Sequence, residues 1–395
     1  MEQRRAYRHR FYPTPDQAAI LARTFGCARS VYTWALRLRT DAYYERQQRL
    51  GYHEVSAALT GLKQHPETAW LNTVSSVPLQ QALRHLDSAF RNVFEGRMKY
   101  PTFKKKRGRQ AATYASSAFR WDANARTLIP ATMDTPLDVR WSRALIATPS
   151  TVTISKDTAG RYVVSFLVEE DIQALPAVDM QVGVDVGLKD LALLSSGEQV
   201  ANPKHLRQSE RKLAHAQRNL ARRKLGSKNR DKARLKLARL HAKIADQRFD
   251  GLHKLTTRLM RENQVVCVES LAVKHMVRTP TLAKSISDVG WGELVRRLEY
   301  KAHWYGRTLV RIDCWYPSSR RCHACGYIYD ALTLDVRQWT CPNCGVRHDR
   351  DINAAKNLLA VGRAVSACGE TARPRRAMAQ MPDPARRDVA GIPRL

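Results

Sequence analysis

Acidic side chains are scarce in this 395-residue chain: 36 Asp and Glu stand against 67 Lys and Arg. The formal net charge is +31, and the isoelectric point is near 10.3. Charge of this size favours a polyanionic partner. Nucleic acid is the first candidate, because each phosphate that is neutralised releases a counterion. A membrane surface is the weaker alternative.

Long hydrophobic runs are also missing. No stretch approaches the ~18 consecutive apolar residues that a transmembrane helix needs. The start of the chain, MEQRRAYRHRFYPTP, lacks the apolar core of a secretory signal peptide. Hydrophobic residues still make up 44% of the chain, enough for two or three folded domains. We therefore expect a cytoplasmic globular protein that has no membrane partner.

Cysteines are too few for a disulfide framework, with 8 in the whole chain. Half of them follow the pattern C-x2-C-x15-C-x2-C, which is the spacing of a zinc ribbon. Thiolates are the ligands that zinc prefers at structural sites. We predict one tetrahedral Zn²⁺ held by Cys322, Cys325, Cys341 and Cys344.

Positive charge is concentrated in two segments. Residues 97–109 hold seven Lys or Arg and no acid, with two aromatic residues between them. Residues 204–240 hold fourteen Lys or Arg against two acids, in a pattern that predicts an antiparallel helical hairpin with its turn at residues 225–230. Both could be solvated surfaces, but their imbalance favours contact with nucleic acid. The predicted contacts are Arg97, Lys99, Tyr100, Phe103, Lys104, Lys105, Lys106, Arg107, Arg222, Arg223 and Lys224.

The secondary-structure pattern changes along the chain. A short strand at residues 5–11 precedes a helix that should start at Thr14, with Pro15 at the first helical position and Gln17 completing a capping box. Helical spacing then continues to about residue 97. Two alternating runs around DTAG, within residues 150–170, predict a β-hairpin that could close a small barrel with the first strand.

Three carboxylate positions lie on predicted strands and at a predicted helix start. Val182, Val184 and Val186 alternate with Gly183 and Asp185, which predicts a strand with Asp185 on the face opposite the valines, and the run LALLSS that follows predicts its hairpin partner. The continuous apolar run QVVCVESL predicts a buried strand that ends with Glu269, and Asp349 or Asp351 opens a helix. Each has an ordinary alternative, such as a turn residue or an N-cap. Together they would repel one another unless a cation bridges them. Mg²⁺ takes oxygen ligands, and paired ions assist phosphodiester displacement. A nuclease is the simplest interpretation.

Several motifs resemble, in order, those of the TnpB family over the chain to about residue 362: YRHRFYPTPDQ, FGCARSVYTWAL, GVDVGLKD, SISDVGWGELVRRLEYKAHWYG, PSSRRCHACG and WTCPNCGVRHDRDINAAKNL. TnpB proteins are transposon-encoded, RNA-guided DNA endonucleases related to type V CRISPR effectors. The resemblance implies a RuvC-like nuclease whose metal-binding triad is Asp185, Glu269 and Asp351. It also selects the second of the two C-terminal aspartates, which spacing alone leaves open.

The resemblance implies an α+β multidomain protein. A small β-barrel wedge domain (residues 1–12 and 113–176) would carry an inserted helical recognition domain (13–112). An α/β, RNase H-like RuvC nuclease domain (177–319 and 346–365) would carry an inserted zinc ribbon (320–345). We expect the tail, residues 366–395, to be disordered because it is rich in Pro and Arg and lacks periodicity.

The implied cofactors are Mg²⁺, as two ions, one structural Zn²⁺ and a guide RNA from the transposon end. The implied substrate is double-stranded DNA, cut beside a short target-adjacent motif. We expect one protein per RNA. The implied location is a prokaryotic cytoplasm, where the DNA-bound protein is associated with the nucleoid. Two alternatives remain open, a DNA-joining transposase with the same carboxylates and an RNA-guided DNA-binding protein or repressor that does not cut.

Overall fold

The computed structural model describes residues 2–333 and 335–367, which form two compact units. The first unit comprises residues 2–173 and 209–246, and the second comprises 174–208 and the described residues from 247 onward. Residues 366 and 367, the first two of the tail predicted to be disordered, end a helix instead, and the rest of that tail lies outside the described residues. Among the described helices, none combines the length and apolar character needed to cross a bilayer.

The first unit opens with a strand and a helical layer. Helix α1 begins as predicted: the Thr14 side chain accepts a hydrogen bond from the Gln17 backbone N at 3.3 Å, and Gln17 Oε1 accepts one from the Thr14 N at 3.1 Å. A core of apolar side chains, including Val31, Leu36 and Leu83, joins the three helices. The elements are β1 (Glu2–Tyr12), α1 (Pro15–Arg46), α2 (Tyr52–Gln64) and α3 (Ser76–Phe94), with a 3-10 turn at Pro66–Thr73.

A five-stranded antiparallel sheet follows these helices in the first unit. The strands that follow α3 are β2 (Gln110–Ala115), β3 (Phe119–Asp122), β4 (Thr127–Pro130), β5 (Asp138–Arg140), β6 (Thr151–Lys156) and β7 (Tyr162–Asp171). The sheet order is β2-β6-β7-β1-β5, and β3 pairs with β4 in a separate hairpin. The predicted β6–β7 hairpin, and its place beside the first strand, are confirmed.

The predicted barrel closure is wrong. In the part of the chain that the structure describes, β2 and β5 are the two open edges of this sheet. The reason is the length of β5: its three residues pair only with the last three residues of β1. Too few backbone hydrogen bonds are available there to carry the sheet round to β2.

The second unit is built on a mixed sheet of order β10-β9-β8-β11-β12. β8, β11 and β12 are parallel, and β9 and β10 add antiparallel pairs. The predicted β8–β9 hairpin and the buried strand β11 are confirmed. The strands are β8 (Gln181–Asp185), β9 (Asp190–Leu194), β10 (Gln199–Ala201), β11 (Val265–Glu269) and β12 (Thr308–Ile312).

Helices cover both faces of this sheet. Val182 and Val184 face a core that includes residues of α5, α7 and α8, such as Leu259 and Leu294. α9 packs on the opposite face, where Leu358 meets Cys267. The helices are α4 (His205–Ala221), α5 (Lys228–Glu262), α6 (Val273–Met276), α7 (Pro280–Val289), α8 (Trp291–Tyr305) and α9 (Arg350–Ala367).

The basic helical hairpin is formed by α4 and α5. Arg230 fastens its turn by donating from Nη1 to the carbonyl oxygens of Leu220 at 3.0 Å and Arg223 at 2.8 Å. The turn spans residues 222–227, slightly before the predicted position. Residues 209–246 of the two helices belong to the first unit.

Candidate metal centre

Two neighbouring strands of the second unit each end in a carboxylate. Val184 of β8 pairs in parallel register with Val268 of β11. The next residues, Asp185 and Glu269, therefore occupy adjacent positions at the carboxyl edge of the sheet, where strands are about 4.8 Å apart. Ligands of open α/β sheets bind at this edge.

Helix α9 lies unusually close to the face that carries Asp185. A Cβ atom at Gly183 would stand 1.9 Å from the Ala355 carbonyl oxygen and 2.9 Å from the Leu359 N, so this approach requires glycine. Gly183 and Asp185 share a face because side chains alternate along a strand. Asp351 precedes Ala355 by one helical turn, about 6 Å, which matches the two-residue step along the strand. The packing therefore brings Asp351 towards Asp185.

The electrostatics agree with this placement. Burial first, and then the charges of Asp351 and Glu269, raise the pKa of Asp185 to about 8. The Arg350 guanidinium and a hydrogen bond from the Val186 backbone act in the opposite direction. Burial also raises the pKa of Glu269. Carboxylates that repel one another in a partly buried position form a site that favours a cation.

The two aspartates at the start of α9 have different surroundings. Asp349 Oδ1 accepts hydrogen bonds from the backbone N atoms of Asp351 and Ile352, both at 3.1 Å, and so caps the helix. The Asp351 carboxylate instead lies 3.5 Å from the guanidinium of Arg337. Asp349 thus caps the helix, whereas the charge of Asp351 acts on the Asp185 carboxyl.

The four predicted zinc ligands are brought together. Their Sγ atoms all lie within 4.8 Å of one another. Two of the Sγ separations are 3.6 Å, between Cys322 and Cys344, and 3.7 Å, between Cys325 and Cys341. A tetrahedral ion with bonds of about 2.3 Å requires an S–S distance of about 3.8 Å. The cluster therefore has the dimensions of a zinc site.

Two equivalent turns carry these cysteines. Gly326 N donates to the Cys322 carbonyl, and Gly345 N donates to the Cys341 carbonyl, each at 2.9 Å. Both glycines have positive φ, +79° and +70°, which glycine adopts without strain. The short strands β13 (Gln338–Thr340) and β14 (Arg347–Asp349) pair beside the second turn, and Trp339 fills the small core.

The predicted nucleic-acid contacts are exposed, and some are also anchored. Tyr100 Oη lies 2.9 Å from Thr40 Oγ1, and its ring packs edge-on against Phe90. Lys104 Nζ lies 3.9 Å from the centre of the Tyr32 ring. These contacts hold part of the basic segment against the helices of the first unit. All eleven predicted residues are solvent-exposed: Arg97, Lys99, Tyr100, Phe103, Lys104, Lys105, Lys106, Arg107, Arg222, Arg223 and Lys224.

A cavity of about 290 Å³ adjoins the basic segment in the first unit. Its lining includes the apolar residues Phe25 and Ala82 and the basic residues Lys104, Lys105 and Arg109. The cavity thus combines apolar and basic side chains, the two kinds of contact that single-stranded nucleic acids use.

Sequence reasoning missed the residues that support the candidate site. The sequence pattern identifies Gly183 only as one position of an alternating strand, but its lack of a side chain allows α9 to pack directly against the backbone of β8. Asn353 and Asn357 were not identified, although both are buried in α9. Their signal was available: two amides four residues apart on an otherwise apolar helical stripe indicate a specific hydrogen-bonded contact.

Three family models match parts of the chain. "Probable transposase" of the OrfB_IS605 type matches residues 165–279, and "Cas12f1-like, TNB domain" matches residues 291–358. A "Helix-turn-helix domain" model of the same transposase type matches residues 1–48, which in the structure form β1, the long helix α1 and the two residues after it.

The similarity to curated proteins spans the chain. A "Putative RNA-guided DNA endonuclease" of Streptomyces pristinaespiralis is 52% identical, with 99% of each chain covered. A protein of the same description from Escherichia coli K12, InsQ, is 31% identical, with 97% of this chain and 98% of the relative covered. In fold, the chain resembles the Cas12f1 protein of a cryo-EM complex with sgRNA and target DNA. That match has a TM-score of 0.52 at 13% identity and covers 87% of this chain and 83% of the other. Since the identity extends over essentially the whole chain, the protein belongs to the TnpB family.

Proposed function

We propose that the chain is a transposon-encoded, RNA-guided DNA endonuclease that depends on Mg²⁺ and cuts double-stranded DNA beside a short target-adjacent motif. One arrangement carries the proposal. Asp185 and Glu269 end adjacent parallel strands, and the close packing of α9 on Gly183 brings Asp351 towards Asp185. Full-length relatives described as RNA-guided DNA endonucleases support it.

The residues at this position suit divalent ions that prefer oxygen. The set is three carboxylates, Asp185, Glu269 and Asp351, supplied by two strand ends and one helix start. Two Mg²⁺ ions held there would supply an activated water and stabilise the attacking and leaving oxygens of a phosphodiester. The protein itself positions the three carboxylates. The strands β8 and β11 position Asp185 and Glu269, and the packing of α9 against Gly183 positions Asp351.

The four-cysteine cluster suits zinc rather than magnesium, because its donors are thiolates. We assign it one structural Zn²⁺ bound by Cys322, Cys325, Cys341 and Cys344. No step of DNA cutting passes through it. Its role is to fold the ribbon that precedes α9.

Binding and sequence choice are assigned to other parts of the chain. A guide RNA from the transposon end would bind the exposed basic residues of segments 97–109 and 204–240, and base pairing with the guide would supply specificity. We include in the same proposal the wedge, recognition, nuclease and ribbon domains with the boundaries predicted from the sequence. One protein would bind one RNA, and the protein would act in the cytoplasm, associated with the nucleoid when it is bound to DNA. The open sheet of the first unit takes the place of the barrel in the wedge domain.

The proposal is tested on guide-matched plasmid DNA with Mg²⁺ or with EDTA. Asp185→Asn, Glu269→Gln and Asp351→Asn should each abolish cutting and leave guide-RNA affinity nearly unchanged. Because Asp185 is repelled by its neighbours, Asp185→Asn should also raise the unfolding temperature measured without divalent ions. Asp349→Ala is the control. It should cost about 0.5–2 kcal/mol of stability as a lost N-cap and retain most of the cutting.

Two outcomes would redirect the assignment. If cutting survives the loss of Asp185 or Glu269, these residues do not form the nuclease centre. If Asp349→Ala is inactive and Asp351→Asn is active, Asp349 is the third carboxylate of the centre in place of Asp351. The match to "Probable transposase" keeps a DNA-joining reaction as the second candidate, and strand-joined products would favour it. Guide-dependent occupancy without cuts would favour an RNA-guided repressor.

A further inference from the structure

Helix α9 carries two buried amides that contact the zinc ribbon. Asn353 and Asn357 lie one turn apart and are 2% and 3% exposed. Asn353 Oδ1 accepts a hydrogen bond from His323 N at 2.9 Å, while its Nδ2 donates to the Arg321 carbonyl at 2.7 Å. Asn357 Nδ2 donates to the Arg321 carbonyl at 2.6 Å and to the Ser318 carbonyl at 2.8 Å.

These hydrogen bonds surround one cysteine of the cluster. Arg321 and His323 are the residues on either side of Cys322, so Asn353 holds the backbone both before and after that cysteine. A second connection runs through His348, whose Nε2 lies 3.0 Å from Cys322 Sγ. His348 directly precedes Asp349, the residue that caps α9. The Cys322 turn is therefore tied to α9 from two directions.

The start of α9 needs such an anchor. Close packing against Gly183 fixes the helix at Ala355, but Asp351 lies one turn earlier, in the first turn, where backbone N–H groups lack intrahelical partners. In that position the Asp351 and Asp185 carboxylates repel each other, which opposes the approach of Asp351. Without lateral support, the first turn could move away from the sheet edge and relieve the repulsion.

We propose that Asn353 and Asn357 are positioning residues of the metal centre: they fasten the Cys322 turn to α9 and thereby hold Asp351 beside Asp185. The inference rests on the proposed function, because it assigns divalent ions to the three carboxylates. It adds a dependence between the two metal sites. A folded, zinc-loaded ribbon raises the affinity of the carboxylates for divalent ions through these two side chains.

The test measures Mn²⁺ affinity by electron paramagnetic resonance and DNA cutting as a function of Mg²⁺ concentration, in wild type, Asn353→Ala and Asn357→Ala. Residues that orient metal ligands typically change metal affinity by about tenfold or more, and we expect a loss of that size in each variant. Zinc content should stay at one ion per chain, and guide-RNA affinity should stay unchanged. The two single variants each leave one amide in place, so that the ribbon can still fold.

Asn263→Ala is the matched control. Asn263 is also buried, and its Nδ2 donates to the Leu259 carbonyl at 3.0 Å, away from the ribbon. This variant should lose stability without losing Mn²⁺ affinity. Unchanged Mn²⁺ affinity in both α9 variants would overturn the inference, as would a loss confined to protein that has also released zinc. If the wild-type protein binds Mn²⁺ through Asp185 but never cuts DNA, the proposed function is refuted. The Mn²⁺ affinities of the two Asn variants then still decide whether Asn353 and Asn357 position the metal centre.

Discussion

At the scale of single residues, the centre depends as much on a missing side chain as on the carboxylates. Gly183 lets the backbone of α9 contact the backbone of β8, and this contact brings Asp351 towards Asp185. Gly362 repeats the arrangement further along α9, where an added Cβ would stand 2.0 Å from Cys267 Sγ. Two glycines therefore set the distance between the helix and the sheet.

Replacing Gly183 with alanine tests this dependence. The added methyl group would meet the Ala355 carbonyl, a backbone atom that cannot turn aside, so α9 must shift. We expect a loss of about 1–3 kcal/mol in the free energy of unfolding, as for other overpacked cores, together with a large loss of metal-dependent cutting. Denaturant unfolding and plasmid cutting measure the two effects.

Gly26→Ala is the control for that variant, because Gly26 lies within α1 with no atom within 4 Å of an added Cβ. Alanine there should stabilise the protein by about 0.5–1 kcal/mol through helix propensity. Full cutting activity in Gly183→Ala would show that the approach of α9 does not position the centre.

A buried lysine in the second unit should give the stability a dependence on alkaline pH. Lys301 is 3% exposed, and its Nζ donates to Thr256 Oγ1 and Thr257 Oγ1, each at 2.7 Å, and to the His253 carbonyl at 2.8 Å. Burial, aided by the nearby charges of Arg297 and Arg261, lowers its pKa to about 8.

The sign of the dependence follows from proton binding. Between pH of about 8 and about 10.4, the unfolded chain keeps a proton on Lys301 that the folded chain has released, so the free energy of unfolding rises with pH. The free energy of unfolding of wild type and of Lys301→Met is measured with denaturant at several pH values in this range. The difference between the two proteins removes the contribution of the other groups that titrate. The difference between wild type and variant should grow in favour of wild type as pH rises. A difference that is constant with pH would contradict the lowered pKa.

At the scale of elements, the predictions that held rest on local patterns. Alternating valines placed β8 correctly, a continuous apolar run identified β11, and Thr14 with Gln17 marked the start of α1. Barrel closure failed because it depends on which distant strands pair, and nothing in the three residues of β5 signals a sheet edge. The close packing of α9 against Gly183 could not be predicted either, because a glycine within a strand does not indicate which element packs against it.

The α4–α5 hairpin should contribute to RNA affinity through charge. Arg222, Arg223 and Lys224 are exposed at its turn, whereas Arg230 is engaged with backbone carbonyls and should be left unchanged. Reversing the three exposed charges to Glu should weaken guide-RNA binding and flatten the plot of log affinity against log salt. The slope should fall by about two, because each contact with single-stranded phosphates contributes about 0.7.

A charge-conserving set of substitutions at the same three residues controls for side-chain shape. Arg222→Lys, Arg223→Lys and Lys224→Arg keep every positive charge and should keep the salt dependence of wild type. If the reversed variant retains the wild-type slope, the hairpin turn makes no phosphate contacts, and the basic charge of segment 97–109 becomes the main candidate.

At the scale of the whole molecule, the basic residues and the candidate centre are carried by different segments of the described chain. Segments 97–109 and 204–240 are rich in Lys and Arg, whereas the candidate centre is a small group of acids at one sheet edge. The second unit carries two sets of candidate metal ligands, the four thiolates of the ribbon and the three carboxylates. The two clusters favour different metals, so they can be emptied separately.

Selective metal removal should therefore give two distinguishable kinds of inactive protein. EDTA without thiol reagents should stop cutting at once, and added Mg²⁺ should restore it fully, because the carboxylates hold ions weakly and the ribbon keeps its zinc. A mercurial thiol reagent with EDTA should release zinc, unfold the ribbon and lower the unfolding temperature. After the mercurial has been removed by excess thiol, Mg²⁺ alone should restore little cutting, and Zn²⁺ followed by Mg²⁺ should restore most of it. Metal analysis, thermal unfolding and plasmid cutting follow each stage. Full recovery with Mg²⁺ alone, in protein shown to lack zinc, would mean that the ribbon does not support the start of α9.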